Sequence, residues 1–422
     1  MPSESSDAQL RKSARAITAT LFAAQSLGSA ATITSATIAS IIGAELSGRT
    51  SLAGLPGSVT QLGGAFSALI WSLISERLGR RLGLAFGVMT GALGGFFASL
   101  AVMQESFYLL LISLVIMSSA RASLNLGRFT AAEVNPPVSR GRAVAFVVLG
   151  GTAGSVVGPL LVDVSSASAR DLGINALAGP YAAIAILFIL ASLALFFFLR
   201  PEPKFLALEV AQRYPQPNLD LTAARPLSTL LKQPGIVVAV CAMVLGYAVM
   251  VLMMGITSLH MLQNAHTLRA ISFVFAAHTL GMYAFSMVTG WLIDRWGRQP
   301  VIFWGTLMLI TSCLIAPLSL KFWPLALALF LLGLGWNFCY VGGSTLLSDY
   351  LSPAEKARTQ GVNDMTIGLA SASASAVSGL LLATIGYDGM GLVGASIAII
   401  LLMILLWHQL RPQKLSPVSV GD

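Results

Sequence analysis

Apolar stretches of about twenty residues recur from Ala14 to Leu410, separated by short polar hinges. One such stretch suits a buried core helix, but a whole chain of them suits a protein that crosses a membrane many times. Hydrophobic residues make up 56% of the chain and charged residues 10%. The mean hydropathy is +0.80. A water-soluble chain of 422 residues would carry far more charge on its surface. Inside a bilayer the backbone must satisfy its own hydrogen bonds, which leaves helices or a closed barrel. These stretches are uniformly apolar and too long for barrel strands, so they read as helices.

Twelve spans are predicted, at 15–43, 54–75, 82–103, 107–128, 142–164, 176–199, 234–258, 268–292, 299–319, 323–347, 360–384 and 389–409. The longest hinge, 200–233, is polar and proline-rich. It divides the chain into an N-terminal six-helix bundle (1–199) and a C-terminal six-helix bundle with a short tail (234–422). Twenty Lys and Arg fall on the side of the N-terminus, against Arg49, Arg170, Arg269 and Lys321 on the other, with Arg121 inside a span. That asymmetry places both termini in the cytoplasm of a multi-pass cell-membrane protein. The net charge of +8 therefore sits in hinges and does not point to nucleic acid. Met1–Leu10 is polar and does not read as a cleavable signal. Cys241, Cys313 and Cys339 lie in apolar runs without CxxC spacing, which argues against a disulfide framework.

The halves repeat each other. Glu76-Arg77-Leu78-Gly79-Arg80-Arg81 follows span two, and Asp294-Arg295-Trp296-Gly297-Arg298-Gln299 follows span eight, 218 residues on. After span four comes Glu133, then Arg140 and Arg142. After span ten, 216 residues on, comes Asp349, then Lys356 and Arg358. Two hinge signatures at nearly one offset predict a parallel repeat, the architecture associated with rocking about a central site.

Gly290-Trp291-Leu292-Ile293-Asp294-Arg295-Trp296-Gly297-Arg298 resembles the G-x-L-x-D-R-x-G-R loop motif of the major facilitator superfamily. The first-half copy is weaker, with Glu76 in place of the Asp and Trp71 or Ser72 near the opening glycine. Gly150, Gly151, Gly154, Gly158 and Pro159 resemble, incompletely, that family's glycine-proline antiporter-type motif. The resemblance covers the whole chain and implies an all-α polytopic fold of twelve transmembrane helices. Its gating-loop candidates are Glu76, Arg77, Arg80, Asp294, Arg295 and Arg298. A carboxylate at a helix end can pair with basic residues of the next hinge in one state and release them in the other. The plainer explanation is that these charges anchor hinges in the headgroup layer.

Seven of the 15 methionines lie between Met243 and Met287, with three of the four histidines, His260, His266 and His278. Met250 and Met254 share one face of span seven; His278 and Met282 share one face of span eight. Thioether and neutral imidazole are soft, uncharged ligands suited to Cu(I). Methionine also fills packing gaps, and a mid-span histidine can serve proton coupling or an interhelical hydrogen bond. The two pairs resemble the signature of the CcoA-like bacterial copper importers, which supply copper for cytochrome c oxidase assembly. That resemblance implies Met250, Met254, His278 and Met282 as ligands of copper in transit. His260, Met261 and His266, at the outer hinge, are candidates for an entrance.

The first half offers a rival site. Arg121 falls in span four, a turn or two from its inner end, with Asn125 four residues on and Asn337 as a counterpart in span ten. These are candidates for substrate binding or proton coupling; Arg121 could equally snorkel and anchor its helix. Gln25, Gln61, Asn363 and Asp364 are further polar positions whose facing is open. No Walker-type G-x-x-x-x-G-K-[ST] is present, and no acid, base and nucleophile converge, so neither an ATP-driven pump nor an enzyme is expected. The expectation is a secondary active transporter using rocker-switch alternating access. It works as a monomer in the lipid bilayer, without a permanent cofactor or nucleic acid. Copper moving inward is the leading substrate, and the alternative is a proton-coupled transporter or exporter of small organic molecules.

Overall fold

The computed structural model describes residues 4–136, 139–214, 225–351 and 353–410. The side chains of Arg140, Arg142, Lys356 and Arg358, part of the middle hinge, and Arg411 and Lys414 lie outside the described set. Among the described residues there are fourteen α-helices and no strand. They are α1 (Glu4–Ser47), α2 (Leu55–Leu78), α3 (Arg80–Met103), α4 (Phe107–Glu133), α5 (Arg140–Asp171), α6 (Ala178–Phe198) and α7 (Pro203–Arg213). Then come α8 (Leu227–Leu230), α9 (Pro234–Gln263), α10 (Leu268–Tyr283), α11 (Ser286–Trp296), α12 (Arg298–Ile315), α13 (Phe322–Tyr350) and α14 (Pro353–Leu410).

Eleven helical segments are long and apolar enough to cross a bilayer. The last covers 50 residues, Thr359–His408, about 75 Å if straight, which is two crossings rather than one. It turns back at Gly386, whose φ of +69° is one that side chains other than glycine resist. Twelve crossings result. The polar hinge expected at 385–388 is thus reduced to a reversal at one glycine.

Two other expectations need correcting. Span eight is not continuous: α10 stops at Tyr283 and α11 restarts at Ser286. The residue that tends this break is Asn337 of α13. Its Nδ2 donates to the Met282 carbonyl (2.6 Å) and to Ser286 Oγ (3.0 Å), while its Oδ1 accepts from Thr289 Oγ1 (2.5 Å). An interrupted helix inside a membrane needs such partners for its freed backbone groups. The middle hinge is not plain loop either, because it contains α7 and α8.

Lipid tails are as apolar as leucine, so these helices associate by close packing rather than by escape from water. Small residues supply it. A Cβ placed on Gly154 of α5 would lie 2.0 Å from the Ser26 carbonyl of α1, and one on Gly158 would lie 2.5 Å from that of Ala30. Thr34 Oγ1 of α1 donates to the Gly158 carbonyl at 2.7 Å. The glycine-rich run of span five is therefore the seam between α1 and α5. Large exposed side chains, among them Phe96, Ile186, Phe197, Ile399 and Met403, form the outer apolar surface.

Two cores divide the molecule. One is built from residues between Leu10 and Val210, the other from residues between Leu230 and Leu405. The second core also takes in Ile41 and Ala53, from the far end of α1 and the turn after it. The halves are thus joined at the end opposite the hinge motifs.

Candidate functional site

The hinge motifs form one layer of polar contacts. Arg80 Nη2 lies 2.7 Å from Glu133 Oε1, and Arg80 Nε lies 3.2 Å from Glu133 Oε2. In the second half Arg298 Nε lies 2.7 Å from Asp349 Oδ2. Each pair ties the hinge after its half's second crossing to the end of the fourth, and each stays within one half. The carboxylates are not those of the motif itself. Glu76 and Asp294 are exposed, and no ion pair to either is found among the described residues. Arg77 is exposed too, and the Arg295 guanidinium lies over the Trp291 ring at 5.5 Å. Glu202, which the sequence did not single out, accepts from the backbone N–H of Arg80 at 2.6 Å and of Arg81 at 3.3 Å. A carboxylate there satisfies the free donors and positive end of α3.

At the opposite end the halves meet through small side chains. Ser40 Oγ of α1 and Ser258 Oγ of α9 are 2.7 Å apart, and the two residues are 218 positions apart, the offset of the hinge repeat. Ser375 Oγ of α14 donates to the Gly54 carbonyl at 2.9 Å, and a Cβ on Gly54 would lie 1.7 Å from the Ser375 carbonyl. The chain entering α2 and the backbone of α14 are thus in direct contact at this end.

Between the two ends lies the polar centre. α4 continues beyond the expected end of its span to Glu133, so Arg121 falls near the helix midpoint, about 18 Å from the Glu133 end and about 21 Å from the Phe107 end, deeper than the sequence suggested. Arg121 Nη1 donates to Gln61 Oε1 of α2 (2.5 Å), and Nη2 makes a long contact to the Tyr247 hydroxyl of α9 (3.5 Å). Gln61 Nε2 in turn donates to Ser371 Oγ of α14 at 3.1 Å. Arg121 and Gln61 of the first half therefore face Tyr247 and Ser371 of the second. Asn125 and Arg128, four and seven residues on, share Arg121's helix face, and Asn125 is exposed. Asp364 of α14 is exposed as well, within electrostatic range of Arg128. Gln25 bonds locally to Ser29 Oγ at 3.2 Å, and Asn363 is buried.

Aromatic rings floor the second half's side of this centre. Tyr247 and Trp336 meet edge to face at 5.7 Å, Tyr283 and Trp336 at 6.1 Å, and Trp336 stacks on Tyr340 at 5.0 Å and 19°. The sequence reading passed over all four. The signal was there: Trp336 and Tyr340 are four apart on α13, and Tyr247 and Tyr283 lie at matching depth on α9 and α10.

The soft-ligand residues lie in the second core. Met250, Met254 and Met282 are each 6% exposed and His278 2%. His278 donates Nδ1–H to the Leu329 carbonyl of α13 at 2.8 Å, and its Nε2 is buried without a partner. α9 and α10 touch only slightly, and both pack on α13. Among the described residues, no group of three or more His, Cys, Asp or Glu is placed to hold a metal ion. Cys339 Sγ is turned to the Ile302 carbonyl (3.8 Å), and Cys241 is half-buried. At the hinge between α9 and α10 the His260 ring stacks on Tyr387 at 4.0 Å, His266 Nε2 donates to the Leu320 carbonyl at 2.7 Å, and Met261 is fully buried.

This architecture is shared with known proteins. The chain is 35% identical over 396 residues to the uncharacterised MFS-type transporter YdeG of Bacillus subtilis, covering 92% of this chain and 90% of that one. It is 29% identical over 395 residues to the riboflavin transporter RfnT of Brucella anthropi, covering 92% and 94% of the two chains. Its fold matches that of a bacterial homologue of the human lysosomal transporter Spinster, with a TM-score of 0.71 at 14% identity over 94% of this chain and 96% of that one. The Major Facilitator Superfamily profile matches residues 20–261 and 238–421, both halves in turn. Repeated six-crossing halves, paired hinge motifs and these matches agree: the chain belongs to the Major Facilitator Superfamily.

Proposed function

We propose that the chain is a secondary transporter that carries a small organic solute across the cell membrane by rocker-switch alternating access. Residues 1–199 and 234–422 act as two bodies joined by 200–233. With the basic hinges and both termini in the cytoplasm, the motif end is the inner end and the central site opens toward it. The single observation that carries this reading is the contrast between the ends. The halves are locked together at Ser40–Ser258 and Gly54–Ser375, while the inner ion pairs stay within each half. A solute at Arg121, Gln61 and Tyr247 is reached from one side only. The likeness to a riboflavin transporter supports an organic solute over a metal ion.

Counterflow in proteoliposomes tests it. Vesicles loaded with unlabelled riboflavin or another member of an organic panel should take up the labelled compound transiently, and Arg121→Ala should abolish the overshoot. If no organic compound gives counterflow while Cu(I) does, the organic reading fails.

A second reading, inward movement of copper past Met250, Met254, His278 and Met282, is favoured by one observation, the unpartnered buried Nε2 of His278. With Nδ1–H given to Leu329, a neutral ring holds a free lone pair there, the form that binds soft metals. Replacing Met250 and Met254 by leucine preserves volume and apolarity. Unchanged copper flux in that double variant would end the ligand assignment, and loss of organic counterflow in it would tie both activities to one cavity.

A further inference from the structure

Arg121 carries a permanent positive charge at the middle of the bundle. Among the described residues, no carboxylate lies within ion-pair distance of it. The hydroxyls of Tyr247, Tyr283 and Tyr340 make up its electrostatic surroundings. Asp364, exposed on α14, is instead in range of Arg128, which lies two turns nearer the inner end of α4. An arginine at this depth without a counter-ion is costly, and side chains of this kind mark substrate pathways. Its Nη2 is barely spent, since the Tyr247 contact is 3.5 Å. A second donor is idle nearby: Trp336 Nε1 is buried without a partner, on a ring that touches Tyr247, Tyr283 and Tyr340. Buried donors in native structures are normally satisfied, so an idle Trp336 Nε1 and a weakly engaged Arg121 Nη2, both beside Tyr247, call for a further acceptor.

Charge and shape specify that acceptor. A guanidinium in a site of low dielectric selects a negative group and can grip it in a bidentate fork. Four aromatic rings opposite it select a flat, unsaturated body by stacking and edge-to-face contact. A site of aromatic walls with a few directed polar groups is the common form for a small-molecule ligand.

We propose that the substrate is a planar aromatic anion, held with its negative group on Arg121 and Gln61 and its ring system against Tyr247, Tyr283, Trp336 and Tyr340. This rests on the organic-solute reading and narrows it. Arg121 then takes its counter-ion from the cargo. Gln61 is the lateral brace, fixing the guanidinium through Oε1 while its Nε2 holds Ser371 in the other half. Loading the anion thus touches both halves at once, and its arrival can bias the equilibrium between inward and outward forms.

The test is equilibrium binding to the purified full-length protein with three probes of fixed charge: 2-naphthalenesulfonate, 2-naphthyltrimethylammonium and cyclohexanesulfonate. The expected order has the aromatic anion at least tenfold tighter than either the aromatic cation or the alicyclic anion. Arg121→Ala should weaken 2-naphthalenesulfonate at least tenfold and leave the cation no weaker. Trp336→Phe should weaken the aromatic anion more than the alicyclic one. If Arg121→Ala does not yield a monodisperse protein, the wild-type order decides alone. Equal or tighter binding of the cation, no binding of the aromatic anion, or unchanged affinity in folded Arg121→Ala would each overturn the proposal. Riboflavin counterflow together with any of these results would retain the transporter and discard this substrate class.

Discussion

The two halves place different residues at one position of the repeat. Arg121 in α4 and Asn337 in α13 are 216 apart, the offset that relates Glu133 to Asp349. Asn337 is 1% exposed and spends its amide inside its own half, bridging the broken crossing of α10 and α11. Arg121 reaches out of its half, toward Tyr247, with its charge uncompensated. Around them the repeat is kept: Arg80–Glu133 matches Arg298–Asp349, and Ser40 meets its own counterpart Ser258. Symmetry is retained where the structure must hinge and close. It is lost at the centre, where one half supplies a charge and the other supplies rings.

The sharpest way to break this contrast is to remove each residue in turn. Arg121→Ala should fold with wild-type stability to within about 1 kcal/mol, because burial of an unpaired charge is relieved, yet lose transport by about a hundredfold or more. Asn337→Ala should do the reverse. It takes the amide donor from the Met282 carbonyl, while the Thr289 hydroxyl keeps the Phe285 carbonyl, at a cost of about 1–3 kcal/mol, read as a lower midpoint in thermal unfolding. If Arg121→Ala is the unstable variant and Asn337→Ala the inactive but stable one, the assignment is inverted.

A smaller effect is expected at the hinges. Arg80→Gln and Arg298→Gln should each cost about 1 kcal/mol or less, since both pairs are partly exposed. Raising salt should narrow the gap to wild type in transport assays. Because the pairs are related by the repeat, the two variants should change the transport rate alike. A large difference between them would show that the hinges are less symmetric than their geometry. The smallest effect is assigned to Tyr387→Phe. It removes the 2.9 Å bond to Thr257 but leaves the ring under His260, so about 1 kcal/mol of stability and no substrate preference should be lost.

Much of the fold was legible because the bilayer leaves few solutions, and long apolar runs give helices. The hinge repeat at offsets of 218 and 216 also exposed the doubling. The break in span eight was not legible, since Ala284 and Phe285 are ordinary residues and the compensating Asn337 lies 52 positions beyond Phe285. The one-residue reversal at Gly386 was hidden because several glycines stand near it. At the centre, Arg121 could be read because a charge in a span is rare. Tyr247, Tyr283, Trp336 and Tyr340 were passed over: their spacing was visible, but an aromatic residue facing the centre and one facing lipid look alike in sequence. The methionines drew notice by number, but their burial in the second core is what packing alone would also produce.

The central claim is that closure at one end of the molecule is coupled to opening at the other. Gly54→Trp tests it without knowledge of the substrate, because Gly54 has no room for a side chain beside Ser375. Spin labels at exposed Arg77 and Arg295 report the separation of the halves at the inner end, and double electron–electron resonance reads the distance between them. With Gly54→Trp wedging the outer end apart, that distance should shorten relative to the protein with Gly54 intact. An unchanged or longer inner distance, in a folded Gly54→Trp protein, would contradict the coupling.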